Sequence, residues 1–183
     1  MLRVRRAVTV LVLVAPLAVH AAEAGDVTFP VLVGTNVWTH NFGQNGQPAK
    51  TVTIDDRFVL IESIGVGYFI TDRLRVGFSV QFNEAVTNPP PTSAFTQFSL
   101  NPQVNYNFWG PLTVTVATSF VLRLNGISQF GFAPFGALSA AVPLGAGLSF
   151  VGGIAVPFFV TPVTSVGLVP FLGLSFKLPG QKE

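Results

Sequence analysis

Residues able to carry out acid–base or nucleophilic chemistry are scarce in this chain of 183 residues. The sequence has no cysteine and two histidines, His20 and His40. His40 next to a serine or aspartate of a neighbouring loop would form a base–nucleophile pair, the arrangement that activates a nucleophile. A histidine near the end of a strand is more often an ordinary polar residue, so the sequence predicts that the protein is not an enzyme.

Metal and cofactor sites are disfavoured as well. Only His40 lies beyond residue 24, and the sequence has no cysteine, so no spacing of zinc ligands is present. Asp55 and Asp56 could contact a divalent ion, or the phosphates of lipopolysaccharide through one, but they lack the alternating oxygen ligands of a calcium loop. Solvated loop carboxylates are the favoured interpretation. The glycines of 65–67 and 145–147 lack the strand–loop–helix setting of a phosphate site. The sequence therefore predicts no metal and no cofactor.

The clearest pattern in the chain is an alternation of apolar and polar side chains. Residues 74–83 read LRVGFSVQFN, with the apolar residues on even numbers, and 97–108 continue in the same phase. A period of two places successive side chains on opposite faces of a β-strand. The pattern predicts a sheet with one apolar and one polar face.

Composition indicates which solvent the apolar face meets. The chain is 49% hydrophobic and 10% charged, whereas soluble domains average about 25% charged residues. After the leader there is no apolar run of about 18 residues, the length that indicates a transmembrane helix. A closed barrel satisfies every backbone group between its strands and can therefore face lipid. A soluble, lipocalin-like ligand-binding barrel is the alternative, but it needs a more charged outer face than the even positions provide.

The N-terminus has the features of a secretion signal. Arg3, Arg5 and Arg6 precede an apolar stretch at 7–19, and 22–24 offer small residues for cleavage. We therefore predict a signal peptide at 1–24 and a mature domain at 25–183. Without the leader, seven basic and seven acidic residues remain, which argues against nucleic-acid binding. A leader without a spanning helix predicts the bacterial outer membrane as the destination.

The predicted fold class is all-β, an eight-stranded antiparallel up-and-down transmembrane β-barrel. Short turns at 71–73, 109–111 and 143–145 alternate with longer connections such as 42–56 and 85–94, the pattern of outer-membrane barrels with periplasmic turns and termini. Aromatic residues beside the short turns are interpreted as a membrane-interface girdle; they are Tyr68, Tyr106, Phe108 and Trp109. The strands are predicted at about 29–41, 57–70, 74–84, 95–108, 112–124, 130–142, 146–159 and 165–178.

The first strand and Glu62 of the second strand depart from the rule that apolar side chains occupy even positions. In the first strand, Val31, Val33 and Val37 favour odd positions outward, whereas Leu32, Trp38 and Phe42 favour even positions. In the second strand, Glu62 falls on the lipid-facing side. It lies near the outer rim, where a charge costs less than at the midplane, or it marks a β-bulge.

Two segments carry a family resemblance. Residues 67–77, GYFITDRLRVG, resemble the strand–turn–strand signature of small bacterial outer-membrane β-barrel domains, which are similar in architecture to outer-membrane proteins A, X and W. Residues 169–176, VPFLGLSF, are similar to the final strand that the barrel-assembly machinery recognises. The resemblance implies a lipid bilayer, lipopolysaccharide and that machinery as partners. Such chains usually stop on an aromatic residue, whereas this one continues through 177–183, which leaves the register of the last strand open.

The inward face divides into a polar and an apolar half. Predicted strands three to five point amides, hydroxyls and arginines inward, and strands six to eight point mostly alanine, valine and phenylalanine inward. An eight-stranded barrel is narrow enough for side chains to fill, so a polar network with an apolar plug is favoured. The alternative is a lumen that accepts a small hydrophobic ligand at its outer mouth, as proteins similar to outer-membrane protein W are thought to do. Buried arginines need carboxylate or amide partners, and the fourth strand is rich in amides. The candidate lumen residues are Arg75, Gln81, Gln103, Arg123, Phe135 and Phe171.

Prolines interrupt four predicted strands at 102, 134, 157 and 170, where each lacks the N–H that a ladder requires. Counting from the third short turn pairs Pro134 with Ile154 and places Pro170 at about the same height. One hypothesis is a weakened lateral seam at Pro134, Pro157 and Pro170 that opens toward lipid. The favoured alternative is that β-bulges absorb the prolines.

Taken alone, the sequence favours a non-enzymatic integral outer-membrane protein with a structural or surface-interaction role. The first alternative is a carrier or channel for small hydrophobic molecules with lateral opening near predicted strands six to eight. A lipid-modifying enzyme is the least favoured.

Overall fold

The strands of the protein close into an antiparallel barrel. The computed structural model describes residues 22–43, 48–54, 58–86, 96–123, 129–160 and 164–180. Each strand pairs with its neighbours in the order β1-β4-β5-β6-β7-β8-β9-β10-β2-β3, and β1 also pairs with β10, which closes the sheet. This confirms the eight-stranded barrel, because β1 and β2 together take the place of the predicted first strand, and β4 and β3 share the next position, beside β1 and β2 respectively. No described residue belongs to a helix that could cross a membrane. The strands are β1 (Val27–Thr35), β2 (Trp38–Asn41), β3 (Lys50–Thr53), β4 (Phe58–Phe69), β5 (Leu74–Val86), β6 (Thr96–Trp109), β7 (Leu112–Arg123), β8 (Gln129–Gly145), β9 (Leu148–Phe159) and β10 (Ser165–Leu178).

The first strand is broken by a one-residue insertion between β1 and β2. Along β10 the register moves four residues from Val33↔Leu172 to Trp38↔Leu168, while the first strand uses five. One extra residue moves every later side chain to the other face. Val33 and Trp38 are therefore both exposed on the outer surface, at 42% and 38%. The odd positions Val31 and Val33 are outward before the break and the even positions Trp38 and Phe42 are outward after it, whereas Leu32 lines the inner cavity.

The segment after β2 is only partly a loop. β1 pairs with β4 up to Thr35↔Leu60, and beyond that point β2 pairs with β3, for example at His40↔Thr51. The prediction of a continuous loop at 42–56 is therefore wrong for the residues of β3. Four consecutive residue pairs define a hairpin that carries the barrel wall past the outer end of β1.

Hydrogen bonds and backbone conformation define the short turns. In the turn between β4 and β5, the Thr71 hydroxyl oxygen accepts hydrogen bonds from the backbone N–H of Arg73 at 3.2 Å and of Leu74 at 2.9 Å. Between β8 and β9, Ala146 and Gly147 both have positive φ, at 49° and 78°. Two central residues with positive φ are typical of a two-residue hairpin turn whose twist matches its strands.

This second turn corrects the predicted register of the sixth and seventh strands. Residues 143–145 belong to β8 instead of forming the turn, because Gly145 pairs with Leu148 and the two central turn residues are Ala146 and Gly147. Ile154 consequently pairs with Leu138, four residues beyond the predicted partner Pro134. Proline and glycine content alone had placed the turn too early.

The outer surface is an apolar belt. The even-numbered residues of β5 to β10 point outward; Leu138 and Leu172, for example, are 51% and 57% exposed. Tyr68, Tyr106, Phe108 and Trp109 lie exposed beside the short turns, where the sequence places them, and their role as an interface girdle stays a prediction.

Toward the loop end the sequence analysis missed a set of phenylalanine pairs, although the 18 phenylalanines of the chain were a signal for such pairs. Their ring centroids lie 5.4 to 6.3 Å apart, in the pairs Phe82–Phe98, Phe120–Phe132 and Phe42–Phe158.

Candidate lumen site

The polar wall of the lumen is a ladder of hydroxyl–amide pairs between β6 and β7. Thr115 donates a hydrogen bond to Asn105 Oδ1 at 2.7 Å, and Ser119 donates to Asn101 Oδ1 at 2.6 Å. Thr113 and Asn107 repeat the arrangement at 2.7 Å nearer the short turn. Alternating inward positions on two antiparallel strands face each other directly, so asparagine and hydroxyl residues form three pairs of this wall, while Gln103 faces Ala117.

Asn101 joins this ladder to β5. Its Nδ2 lies 3.3 Å from Ser79 Oγ and 3.4 Å from Gln81 Oε1, and its side chain is 1% exposed. Gln81 donates in turn to Asn83 Oδ1 at 2.8 Å. Buried polar groups that satisfy one another become rigid, so this half of the lumen is a fixed surface.

Two neighbouring cavities occupy the lumen. The outer cavity has a volume of about 350 Å³ and the inner one about 130 Å³. Amides and hydroxyls of β5 to β7 line one side, whereas the β8 to β10 side is mostly alanine, valine and phenylalanine, together with Ser139, Ser165 and Ser175. The predicted division of the lumen into two halves is therefore present. The residues that line both cavities are Ile61, Gln81, Phe135, Ala155 and Val169.

The structure brings together most of the predicted lumen residues. Gln81 and Phe135 lie between the two cavities, and Arg75, Gln103 and Phe171 line the inner one. The side chain of Arg123 lies outside the described residues; its backbone pairs with Gln97 and Gln129. Ligand binding by these residues stays a prediction.

The contribution of the first strands was missed by the sequence analysis. Asn36, Thr39 and Ile61 line the outer cavity, and Leu32 lines the inner one. The signal was present in the change of phase along the first strand, which becomes interpretable only when the inserted residue between β1 and β2 is known.

Arg75 lies at the inner end of the lumen in a pocket made by β1 and β4. Its Nη1 donates to the Thr28 hydroxyl oxygen at 3.0 Å, and its guanidinium carbon lies 5.5 Å from the centre of the Phe69 ring. A Cβ on Gly67 would come within 2.7 Å of Arg75 Cδ, so this glycine leaves room for the arginine stem. The expectation of amide or carboxylate partners is wrong for the described surroundings of Arg75, because its hydrogen-bond partner is a hydroxyl group.

Three prolines of the predicted seam fall at two levels. Pro157 pairs with Phe135 of β8 and lines the outer cavity, and Pro134 is the next residue of β8 toward the loop end. Pro170 pairs with Ile154, three residues nearer the inner end. The predicted common height of Pro134 and Pro170 is therefore wrong, and Pro134 and Pro157 share a level instead.

At this level β9 forms fewer backbone pairs with β8 and β10. The described pairs of β9 with β10 pass from Val166↔Phe158 to Val169↔Ala155, leaving out the two steps that include Pro157. On the other side, the outermost bridged pair of β8 with β9 is Phe135↔Pro157, followed by a single bond from Val160 N to Phe132 O at 2.9 Å. Proline has no N–H to donate, so each of these prolines removes one hydrogen bond from one of the ladders.

His40 lies on the outer surface and not in the lumen. Its Nδ1 is 3.0 Å from Thr51 Oγ1, and its ring contacts those of Trp38 and Phe42 at 6.2 and 5.1 Å between centroids. Asp55 and Asp56 lie outside the described residues. Among the residues that are described, no three histidine or acidic side chains form a metal-binding group.

Glu62 is exposed on the outward face, opposite Val33 and Phe82. The pairs of β4 with β5 continue unbroken through Glu62↔Phe82, so the alternative of a β-bulge at this position is wrong.

Comparison with known proteins supports the fold at low sequence identity. Neither a protein-family model nor a curated protein matches the sequence. One similar structure is outer membrane protein AlkL in DMPC lipid bilayers, with a TM-score of 0.56 and 13% identity over 92% of this chain and 98% of that one. The attachment invasion locus protein Ail of Yersinia pestis gives a TM-score of 0.52 and 6% identity over 85% and 100%. OprG from Pseudomonas aeruginosa gives 0.51 and 9% over 86% and 98%.

These likenesses establish the fold, that of small eight-stranded outer-membrane barrels, as the sequence predicts. An exposed apolar belt cannot face water over its whole height, and it supports a location in a bilayer, as in these bacterial outer-membrane proteins. The signal peptide stays a prediction, because residues 1–21 lie outside the described part of the chain.

Proposed function

We propose that the protein is an outer-membrane carrier that admits small, mainly hydrophobic molecules into its lumen from the outer side. The observation that carries this proposal is the outer cavity of about 350 Å³, with its apolar wall on β8 to β10. An eight-stranded barrel can be filled by its own side chains, and unfilled apolar space destabilises a protein in proportion to its volume. A cavity of this size favours an occupant over a purely structural role.

The narrowing of the lumen argues against an open aqueous pore. Beyond Gln81 and Phe135 the space falls to about 130 Å³, and Arg75 lies against Phe69 at its inner end. A ligand that enters the outer cavity therefore needs another exit. Pro157 lines that cavity at the level where β9 has fewer backbone pairs with β8 and β10. This supports release sideways into the bilayer near β8 to β10.

Filling the cavity tests the carrier function. Ala133 lines the outer cavity and is 1% exposed, so Ala133→Phe should occupy the space. The measurement is the rate at which N-phenylnaphthylamine, a dye that fluoresces in lipid, enters cells that display the protein in their outer membrane. The wild-type chain should raise this rate and Ala133→Phe should abolish the increase.

The matched control is Leu138→Phe, an equally bulky substitution of β8 that faces outward. It should leave dye entry unchanged. Entry at the wild-type rate in Ala133→Phe, with both variants folded by heat-modifiable migration, would contradict the proposal.

A surface-interaction role is the second candidate. The β2–β3 hairpin carries Trp38, His40 and Phe42 on the outer surface, and aromatic rings of this kind are enriched in interfaces. This role gains support if the cavity variants leave transport unchanged. A lipid-modifying activity is not proposed, because the described contacts of His40 are Thr51 and two aromatic rings.

A further inference from the structure

The inner cavity is lined by a partly buried cation, Arg75, that has no counter-ion among the described residues. The described ion pair of the barrel joins Lys177 to Asp26, and Arg75 takes no part in it. The Nε atom of Arg75 is buried and has no hydrogen-bond partner in the described part of the chain. Burying an uncompensated charge costs several kcal/mol, so a cation at this place is expected to have an anion beside it.

Asn105 supplies a second unpaired donor at the same level. It lies directly opposite Arg75 in the β5–β6 ladder. Thr115 occupies its Oδ1, while its buried Nδ2 has no partner among the described residues. The Arg75 stem passes over Gly67 toward Thr28 and the Asn105 amide turns toward Thr115, so the two donors flank the cavity and do not converge on one atom. Both residues line the inner cavity.

We infer that Arg75 binds the carboxylate of a small amphipathic anion whose hydrocarbon part lies against the apolar wall. A guanidinium group matches the geometry of a carboxylate and carries only donors, so the complementary group is an acceptor. Ala137, Val151 and Phe171 form the opposite side of the same cavity. A volume of about 130 Å³ accommodates roughly four groups of the size of water, at about 30 Å³ each.

The tail of such a ligand has a route into the outer cavity. The two cavities share Gln81 and Phe135 in their linings, one polar and one apolar. A chain that passes between them would place its head on Arg75 and its tail in the larger space. This inference rests on the proposed carrier function and specifies its ligand class as carboxylate amphiphiles.

The surroundings of Arg75 fix its side chain in advance. The Thr28 hydroxyl accepts from Nη1 and donates to the Gly67 carbonyl at 3.4 Å. Phe69 covers one face of the guanidinium, a contact that favours a cation. Binding therefore costs little ordering of the arginine.

The test uses three ligands of matched structure with the full barrel in nanodiscs. Hexanoate carries head and tail, 1-hexanol carries the tail alone, and acetate carries the head alone. Binding is followed by saturation-transfer NMR against empty nanodiscs. Hexanoate should bind more tightly than either of the others, and Arg75→Gln should weaken hexanoate about tenfold or more while leaving hexanol unchanged.

Two variants sharpen the test. Asn105→Asp places a carboxylate opposite Arg75, so it should exclude hexanoate and keep hexanol even if Arg75→Gln does not fold. Arg73→Gln removes an equal charge from the exposed β4–β5 turn and should change neither ligand.

The outcomes separate this inference from the function on which it rests. If hexanol binds the wild type but hexanoate binds no better and is insensitive to Arg75→Gln, the carboxylate site is overturned and the carrier stands. Equal affinity for acetate and hexanoate overturns the amphiphile assignment. If none of the three ligands binds, the carrier function fails together with the site.

Discussion

Lys177 Nζ lies 3.1 Å from Asp26 Oδ2, joining the last strand to the residue that precedes the first. Asp26 also accepts hydrogen bonds from the backbone N–H of Glu23 at 2.9 Å and of Gly180 at 3.0 Å. The residues after the final aromatic, which depart from the usual ending of such barrels, therefore hold the N-terminal segment to the end of β10. Burial raises the pKa of Asp26, but the two N–H donors and Lys177 outweigh burial, so the pKa lies below its ordinary value of 3.8.

Replacing Asp26 with asparagine should reduce stability at neutral pH. Asn cannot accept the charge-assisted bonds, and we expect a loss of roughly 1–3 kcal/mol. Because the folded-state pKa is depressed, the contribution of the carboxylate is complete above 3.8 and is lost as the pH falls through the folded value. The temperature at which the folded gel band disappears should therefore differ between Asp26→Asn and wild type at neutral pH and converge in acid.

Lys50→Met is the control for this experiment, because it removes an exposed lysine of β3, which is far from the ion pair of Lys177 and Asp26. It should melt as the wild type does. A difference between Asp26→Asn and wild type that persists unchanged in strong acid would show that charge is not the cause.

Gly67→Ala should destabilise the inner end of the barrel. The added Cβ would lie 2.7 Å from Arg75 Cδ and 2.9 Å from Thr28 Oγ1, and overpacking of this kind costs about 1–3 kcal/mol. At Gly136 the nearest atom to an added Cβ is 4.0 Å away, so Gly136→Ala should be neutral or slightly stabilising. Urea unfolding in lipid vesicles, followed by tryptophan fluorescence, measures both variants, and equal midpoints would contradict the proposed packing.

The alternation of side chains, together with the low charge content and the spacing of the turns, was sufficient to predict the barrel, its strand count and the divided lumen. The period of two is clearest in β5 and β6, over residues 74–83 and 97–108. The break between β1 and β2 and the turn at Ala146-Gly147 could not be predicted in the same way. The break depends on the position of one inserted residue, and Asn36-Val37 does not mark it uniquely. The turn depends on which residues adopt positive φ, and Pro143-Leu144-Gly145 suggests an earlier position for it.

Part of the lining of the lumen was predicted from the sequence, but the contribution of the first strands and the surroundings of Arg75 were not. Arg75 and Gln103 follow from the inward phase of their strands. Whether Arg75 meets a carboxylate, an amide or a hydroxyl depends on the position of Thr28 across the closed barrel. That position is set by the register of β1 against β4, which sequence reasoning had left open.

Pro157→Ala should strengthen the proposed seam. The alanine restores a backbone N–H at the level where the pairing of β9 with β10 is interrupted, so amide exchange near Gly167 should slow. If release into lipid uses this seam, dye entry into cells should also fall. Pro102→Ala is the matched control, since Pro102 pairs with Phe78 on the far side of the barrel. A fall in dye entry in the control alone would count against the seam.

Exchanging Glu62 and Ile64 should destabilise the barrel without changing its composition. Both residues are exposed on the outward face of β4, and Glu62 lies nearer the loop end. A charge costs little near the interface of the bilayer and about 2 to 4 kcal/mol at the midplane for a basic residue, less for an acidic one. The double variant Glu62→Ile/Ile64→Glu moves the carboxylate toward the midplane and should lower the urea midpoint in vesicles. Glu62→Leu alone should raise that midpoint slightly, because its neighbours Val33 and Phe82 are apolar. A midpoint for the exchanged pair at or above the wild-type value would mean that this part of β4 does not face lipid.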